Sequence, residues 1–110
     1  MADSVSLTIG GVSFQCVRLK DAEFLDRAAV YVILCVENGG SWTVLDVGQS
    51  GEVGSRIDSH DRSQCWIENC PSGNIWVCVY PMPTANYTKD DRLAFEHKLR
   101  EQYKPICGTR

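Results

Sequence analysis

Several features are missing from this 110-residue chain, and each absence excludes something. No apolar run approaches the ~20 residues that a membrane-spanning helix needs, so no membrane association is expected. The start, Met1-Ala2-Asp3-Ser4, lacks the basic opening and apolar stretch of a secretory signal, and a cytoplasmic chain is the expectation. Positive charge is in deficit: 11 bases meet 14 acids, for a net −3 with both histidines neutral. Bulk electrostatics therefore cannot carry nucleic-acid binding, and any such role needs a local site. No C-x-x-C pair occurs among Cys16, Cys35, Cys65, Cys70, Cys78 and Cys107, so a zinc knuckle or thioredoxin-type centre has no local signature. There is no internal repeat or low-complexity segment, and 12.3 kDa is too little chain for two full domains.

What remains has the make-up of a globular domain, 44% hydrophobic and 23% charged. Cys35 and Cys78 lie in apolar runs, where a thiol acts as a small hydrophobe. Cys65 and Cys70 flank a more polar break and are the two expected to react. Without a secretory signal, reduced thiols are the expected state.

Val5 to Val17 alternates apolar and polar residues on both sides of Gly10-Gly11, the pattern of a two-residue β-hairpin. Asp21 to Arg27 reads as a helical turn or a loop. Ala28 to Val36 is an almost unbroken apolar, β-branched run, as in a strand buried on both faces. The turn residues Glu37 to Ser41 lead into a returning strand, Trp42 to Gly48. From Glu52 the period becomes helical, and one helix ending before Cys70-Pro71 is expected. Ile75 to Tyr80 reads as a strand stopped by Pro81. Thr88 is a suitable N-cap, with Asp90 and Asp91 at the positive end of a helix running to about Tyr103. The division is residues 1–27 as a hairpin extension and 28–110 as the core domain.

Four polar positions share faces with apolar residues, where a charge must be paired or used. Tyr31 lies in the first core strand and Asp46 in its neighbour. Arg56 and His60, at i and i+4, project from one side of the following helix. On the last helix Glu96 falls in the arc of Phe95, Leu99 and Tyr103. Each has a plain structural reading too: Tyr31 as core, Asp46 as a turn cap or amide acceptor, Glu96 as an ion-pair partner of Arg56.

The order of these residues resembles the GIY-YIG endonuclease superfamily. Ala29-Val30-Tyr31 resembles the GIY triplet, and Asp46-Val47-Gly48 occupies the YIG triplet. Gln49-Ser50 and Gly54 to His60 resemble the segment bearing the helix arginine and histidine. Phe95-Glu96, Leu99 and Tyr103-Lys104-Pro105 resemble the terminal helix and its trailing K-P-x-x-N element. The likeness covers about Ala28 to Gly108, with the second tyrosine replaced by Asp46 and the terminal asparagine by Gly108.

The resemblance implies an α+β fold: a small α/β/α domain with a three-stranded, mainly antiparallel sheet flanked by helices, here preceded by the hairpin. It implies hydrolysis of DNA phosphodiester bonds with one magnesium or manganese ion on Glu96. Tyr31, Arg56 and His60 would be catalytic, and Arg56, Gln49, Ser50 and Lys104 would contact nucleic acid; Asp46, a carboxylate beside the phenol, either raises its pKa by like-charge coupling or takes over as the base or a second metal ligand. The chemistry suits these types: Arg56 is a permanently charged fork for phosphate, and Glu96 is a hard oxygen ligand. A degenerate domain that binds nucleic acid or a protein without cleaving is the alternative reading. The hairpin, with an exposed edge, is the expected surface for a protein partner or a second copy. Residues 89–110 hold six bases and four acids, against five and ten in residues 1–88, so positive charge collects around Glu96.

Overall fold

A computed structural model describes residues 4–21, 26–58, 60 and 62–108. Strands β1 (Val5–Ile9) and β2 (Val12–Arg18) form the hairpin. Its turn residues Gly10 and Gly11 have φ of 60° and 86°, as a two-residue turn with both central residues at positive φ requires. Strands β3 (Ala29–Val36), β4 (Trp42–Ser50) and β5 (Ile75–Pro81) complete the sheet. All pairings are antiparallel, in the order β1-β2-β5-β3-β4.

This corrects the expectation of a three-stranded sheet: among the described residues the sheet has five strands, and three helices pack on it. The hairpin is part of the sheet because β2 pairs with β5 from Gln15↔Val79 to Arg18↔Trp76. In a three-stranded sheet the apolar β5 would expose an unpaired edge, and β2 removes it.

Helices α1 (Val53–Asp58) and α2 (Ser63–Glu68) cover one face, where Val53, Ile57 and Trp66 pack on Tyr31, Ile33, Leu45 and Val77. The single helix expected after Glu52 is thus two short ones. Between them, His60 accepts the backbone N–H of Arg62 on its ring and that of Ser63 on its carbonyl. Helix α3 (Lys89–Tyr103) covers the other face, where Leu99, Phe95 and Tyr103 meet Val30, Val32, Val47 and Cys78. Thr88 and Asp91 form a reciprocal capping box at its start, and Lys104 closes it at φ 48°. Of the stretch from Asp21 to Arg27, Asp21 ends a 3-10 turn, Leu19–Asp21, and residues 22–25 fall outside the described residues.

Strand β4 is an edge of the sheet, and the chain after α3 folds over it. The Cys107 N–H donates to the Leu45 carbonyl at 2.7 Å. Leu45 is the extra residue of a bulge, because Ile33 pairs with Asp46 while Leu34 pairs with Val44.

All six cysteines form disulfides, which replaces the expectation of reduced thiols. Cys16–Cys78 joins directly opposed residues of β2 and β5. Cys35–Cys70 ties β3 to the end of α2, and Cys65–Cys107 ties α2 to the tail. Such bonds contribute about 2–4 kcal/mol each, and two of the three hold a six-residue helix too short to persist alone. Intact protein is expected to take up no alkylating reagent until it is reduced, as read by mass spectrometry. Replacing Cys65 and Cys107 together by serine should lower the unfolding free energy by about 2–4 kcal/mol in denaturant titration.

Candidate functional site

Tyr31 and Gly48 are directly paired across β3 and β4. A side chain at Gly48 would place its Cβ 2.3 Å from the Tyr31 phenol, so the glycine is what lets the ring lie flat over β4. Tyr31 is 1% exposed and His60 4%. The phenol oxygen lies 2.5 Å from His60 Nε2, with the rings edge to face. Arg56, one turn into α1, lies close enough for its charge to act on the phenol. Helix α1 is anchored by Asp26, whose carboxylate accepts the Ser55 backbone N–H and hydroxyl at 2.5 and 2.6 Å. The hydroxyl and then the backbone N–H hold the Asp26 carboxyl below its ordinary pKa. Tyr31, Arg56 and His60, three of the residues singled out in sequence, therefore meet in one cluster.

Burial pushes the Tyr31 phenol up to about 12, Asp46 adds to the shift, and the Arg56 guanidinium opposes it. At neutral pH the phenol keeps its proton.

Asp46 is fully buried on β4 and its two oxygens accept five hydrogen bonds. Oδ2 takes Arg62 Nε at 2.7 Å and the Trp66 indole N–H at 2.9 Å. Oδ1 takes Arg62 Nη2 at 3.1 Å, Arg100 Nη2 at 3.0 Å and the Val47 N–H at 2.8 Å. A carboxylate so engaged has little lone-pair capacity left for a proton or a metal ion. Arg100 Nη1 donates in addition to the Gly108 carbonyl at 2.6 Å, and Nη2 to the Val47 carbonyl. Gly108 has φ 70°, and a Cβ there would lie 2.7 Å from Arg62 Nε and 2.9 Å from Arg100 Nη2. Asp46 and Gly108 are thus held by one guanidinium, that of Arg100.

Glu96 stands apart from the phenol cluster. It pairs with Arg100 at 3.4 Å and its side chain is 18% exposed. On the same stripe of α3, Arg92 donates to the Gln49 side chain at 3.1 Å, while Arg100 reaches Val47. This spacing sets Glu96 beside β4 at the level of Gly48. Among the described residues no three His, Cys, Asp or Glu side chains converge as a metal cluster. A magnesium ion needs only one or two carboxylates when waters and a substrate phosphate fill its shell, and the partly exposed Glu96 carboxylate fits that mode.

No family model, no curated protein and no solved structure matches the chain. The site therefore has to be read from its own chemistry.

Of the residues expected to touch nucleic acid, Arg56 lies in the phenol cluster, while Gln49 Oε1 accepts from Arg92 and Ser50 Oγ accepts the Glu52 N–H. Lys104 is exposed at the end of α3. Sequence reasoning missed Arg62, Trp66 and Arg100. The signal was Asp46 itself, since a carboxylate in a buried strand demands cations, but nothing in the spacing says which of the arginines supply them.

Two outcomes follow. Gly48→Ala should cost about 1–3 kcal/mol of stability in denaturant unfolding, as overpacking does, and a double variant with Tyr31→Leu should recover part of it. The Tyr31 phenol ionises later in the folded chain than in the unfolded one. Its stabilising contribution is thus complete below pH ~10 and is lost as pH rises toward about 12, by roughly 2–3 kcal/mol. Alkaline denaturation of the native chain against Tyr31→Phe, with ultraviolet titration of the phenols, measures it.

Proposed function

We propose that the chain is a metal-dependent phosphodiesterase acting on DNA, of the GIY-YIG kind that its sequence resembles. The observation that carries this reading is the contact of Tyr31, His60 and Arg56 over Gly48, which joins residues from two strands, a helix and a loop. Hydrolysis of a phosphodiester needs positive charge at the non-bridging oxygens, and the Arg56 fork is suited to that. Glu96 would hold the divalent ion, which when bound polarises the phosphate and orients water. His60 holds the phenol of Tyr31 at the site.

Plasmid and single-stranded DNA should be cleaved in the presence of magnesium or manganese. Arg56→Ala and Glu96→Ala should each lower the rate about 100-fold or more. Cleavage no faster than that of Glu96→Ala overturns the reading.

The Glu96–Arg100 ion pair favours a second reading, a domain that binds DNA or a protein through this surface without cutting. Tight DNA binding with no metal-dependent cleavage would select it. The exposed edge strand β1 remains our proposed contact for a protein partner or a second copy. Three disulfides support work in an oxidising compartment, in place of the cytoplasm suggested by the N-terminal residues.

A further inference from the structure

Asp46 and the Tyr31 phenol are linked by two routes, both passing through His60. Arg62 grips Asp46 with a two-point fork, Nε to Oδ2 and Nη2 to Oδ1. The backbone N–H of the same Arg62 donates to His60 Nδ1 at 3.1 Å. Trp66 donates its indole N–H to Asp46 Oδ2, and its ring packs on the imidazole with centroids 4.6 Å apart. The carboxylate thus holds both the donor to the imidazole and the ring against which the imidazole rests.

The proton count follows. A ring nitrogen that accepts a backbone N–H carries no proton, so in the neutral ring the proton sits on Nε2. Nε2 faces the phenol oxygen at 2.5 Å, so His60 donates and Tyr31 accepts. The reverse arrangement, phenol donating to Nε2, would put the proton on Nδ1 and set it against the Arg62 N–H, donor to donor. The Arg56 guanidinium stands near the same phenol and opposes the rise in its pKa.

We infer that Asp46 is a positioning residue, acting through Arg62 and Trp66 on His60, so that His60 presents its Nε2 proton to the Tyr31 phenol. This arrangement is independent of the chemistry proposed above.

The test is isotope-edited nitrogen NMR of the histidine rings in the full, disulfide-intact chain, above the pH at which the rings are neutral. The signals of His60 are told from those of the exposed His97 by a His97→Gln variant. The native His60 ring is expected as the single Nε2–H tautomer, and Tyr31→Phe should leave that tautomer in place because Arg62 sets it. Folded Asp46→Asn should lose the single tautomer and show both forms. A native ring protonated on Nδ1 overturns the inference without any variant, and so does a folded Asp46→Asn that keeps the native tautomer. A shift to Nδ1–H in Tyr31→Phe overturns it too, since the phenol would then be setting the ring. The measurement uses no nucleic acid, so a chain that cleaves nothing still decides the inference.

Discussion

Taking the Asp46 carboxylate out of water is costly unless its charge is met by opposite charge and its lone pairs by donors. Five hydrogen bonds meet it here, from two guanidiniums, an indole and a backbone amide. Those donors come from the approach to α2, from α2 itself, from α3 and from β4. A single buried charge on an edge strand therefore ties together helices that lie on opposite faces of the sheet. Arg100 spans that gap, reaching from α3 past the β4 edge to Asp46 and onward to the Gly108 carbonyl.

Two of the disulfides act on the same elements. Helix α2 is six residues long, too short to hold itself in water, yet it carries Trp66 and follows directly on Arg62. Cys35–Cys70 fastens its end to β3 and Cys65–Cys107 fastens its body to the tail. A chain of this size has a limited core, and cross-links plus one saturated carboxylate offset that. Gly108 belongs to the same packing, because a Cβ would collide with both guanidiniums.

The consequence for the site is order rather than openness. Tyr31 and His60 are almost wholly buried, and their contact is set by packing on Gly48 and Trp66. Glu96 is the more accessible group and lies across the β4 edge from the phenol, beside Arg100.

The hairpin was legible from Gly10-Gly11 and the alternation around it, and the α3 cap from Thr88 and its acidic first turn, because both are local. Tyr31, Arg56 and His60 were legible as a group from their order along the chain. The five-stranded sheet was not, since the partner of β2 lies sixty residues away and alternation does not name it. The break between α1 and α2 escaped for a similar reason: the helical period continues through it, and the contact that holds His60 against Tyr31 is tertiary. The thiols were misread because pairing depends on which cysteines the fold brings together. By itself, then, the sequence determined the turns, caps and strand periodicity, where the physics acts over a few residues. The tertiary structure alone decided which arginines answer Asp46 and which cysteines join, since burial and long-range contact set those choices.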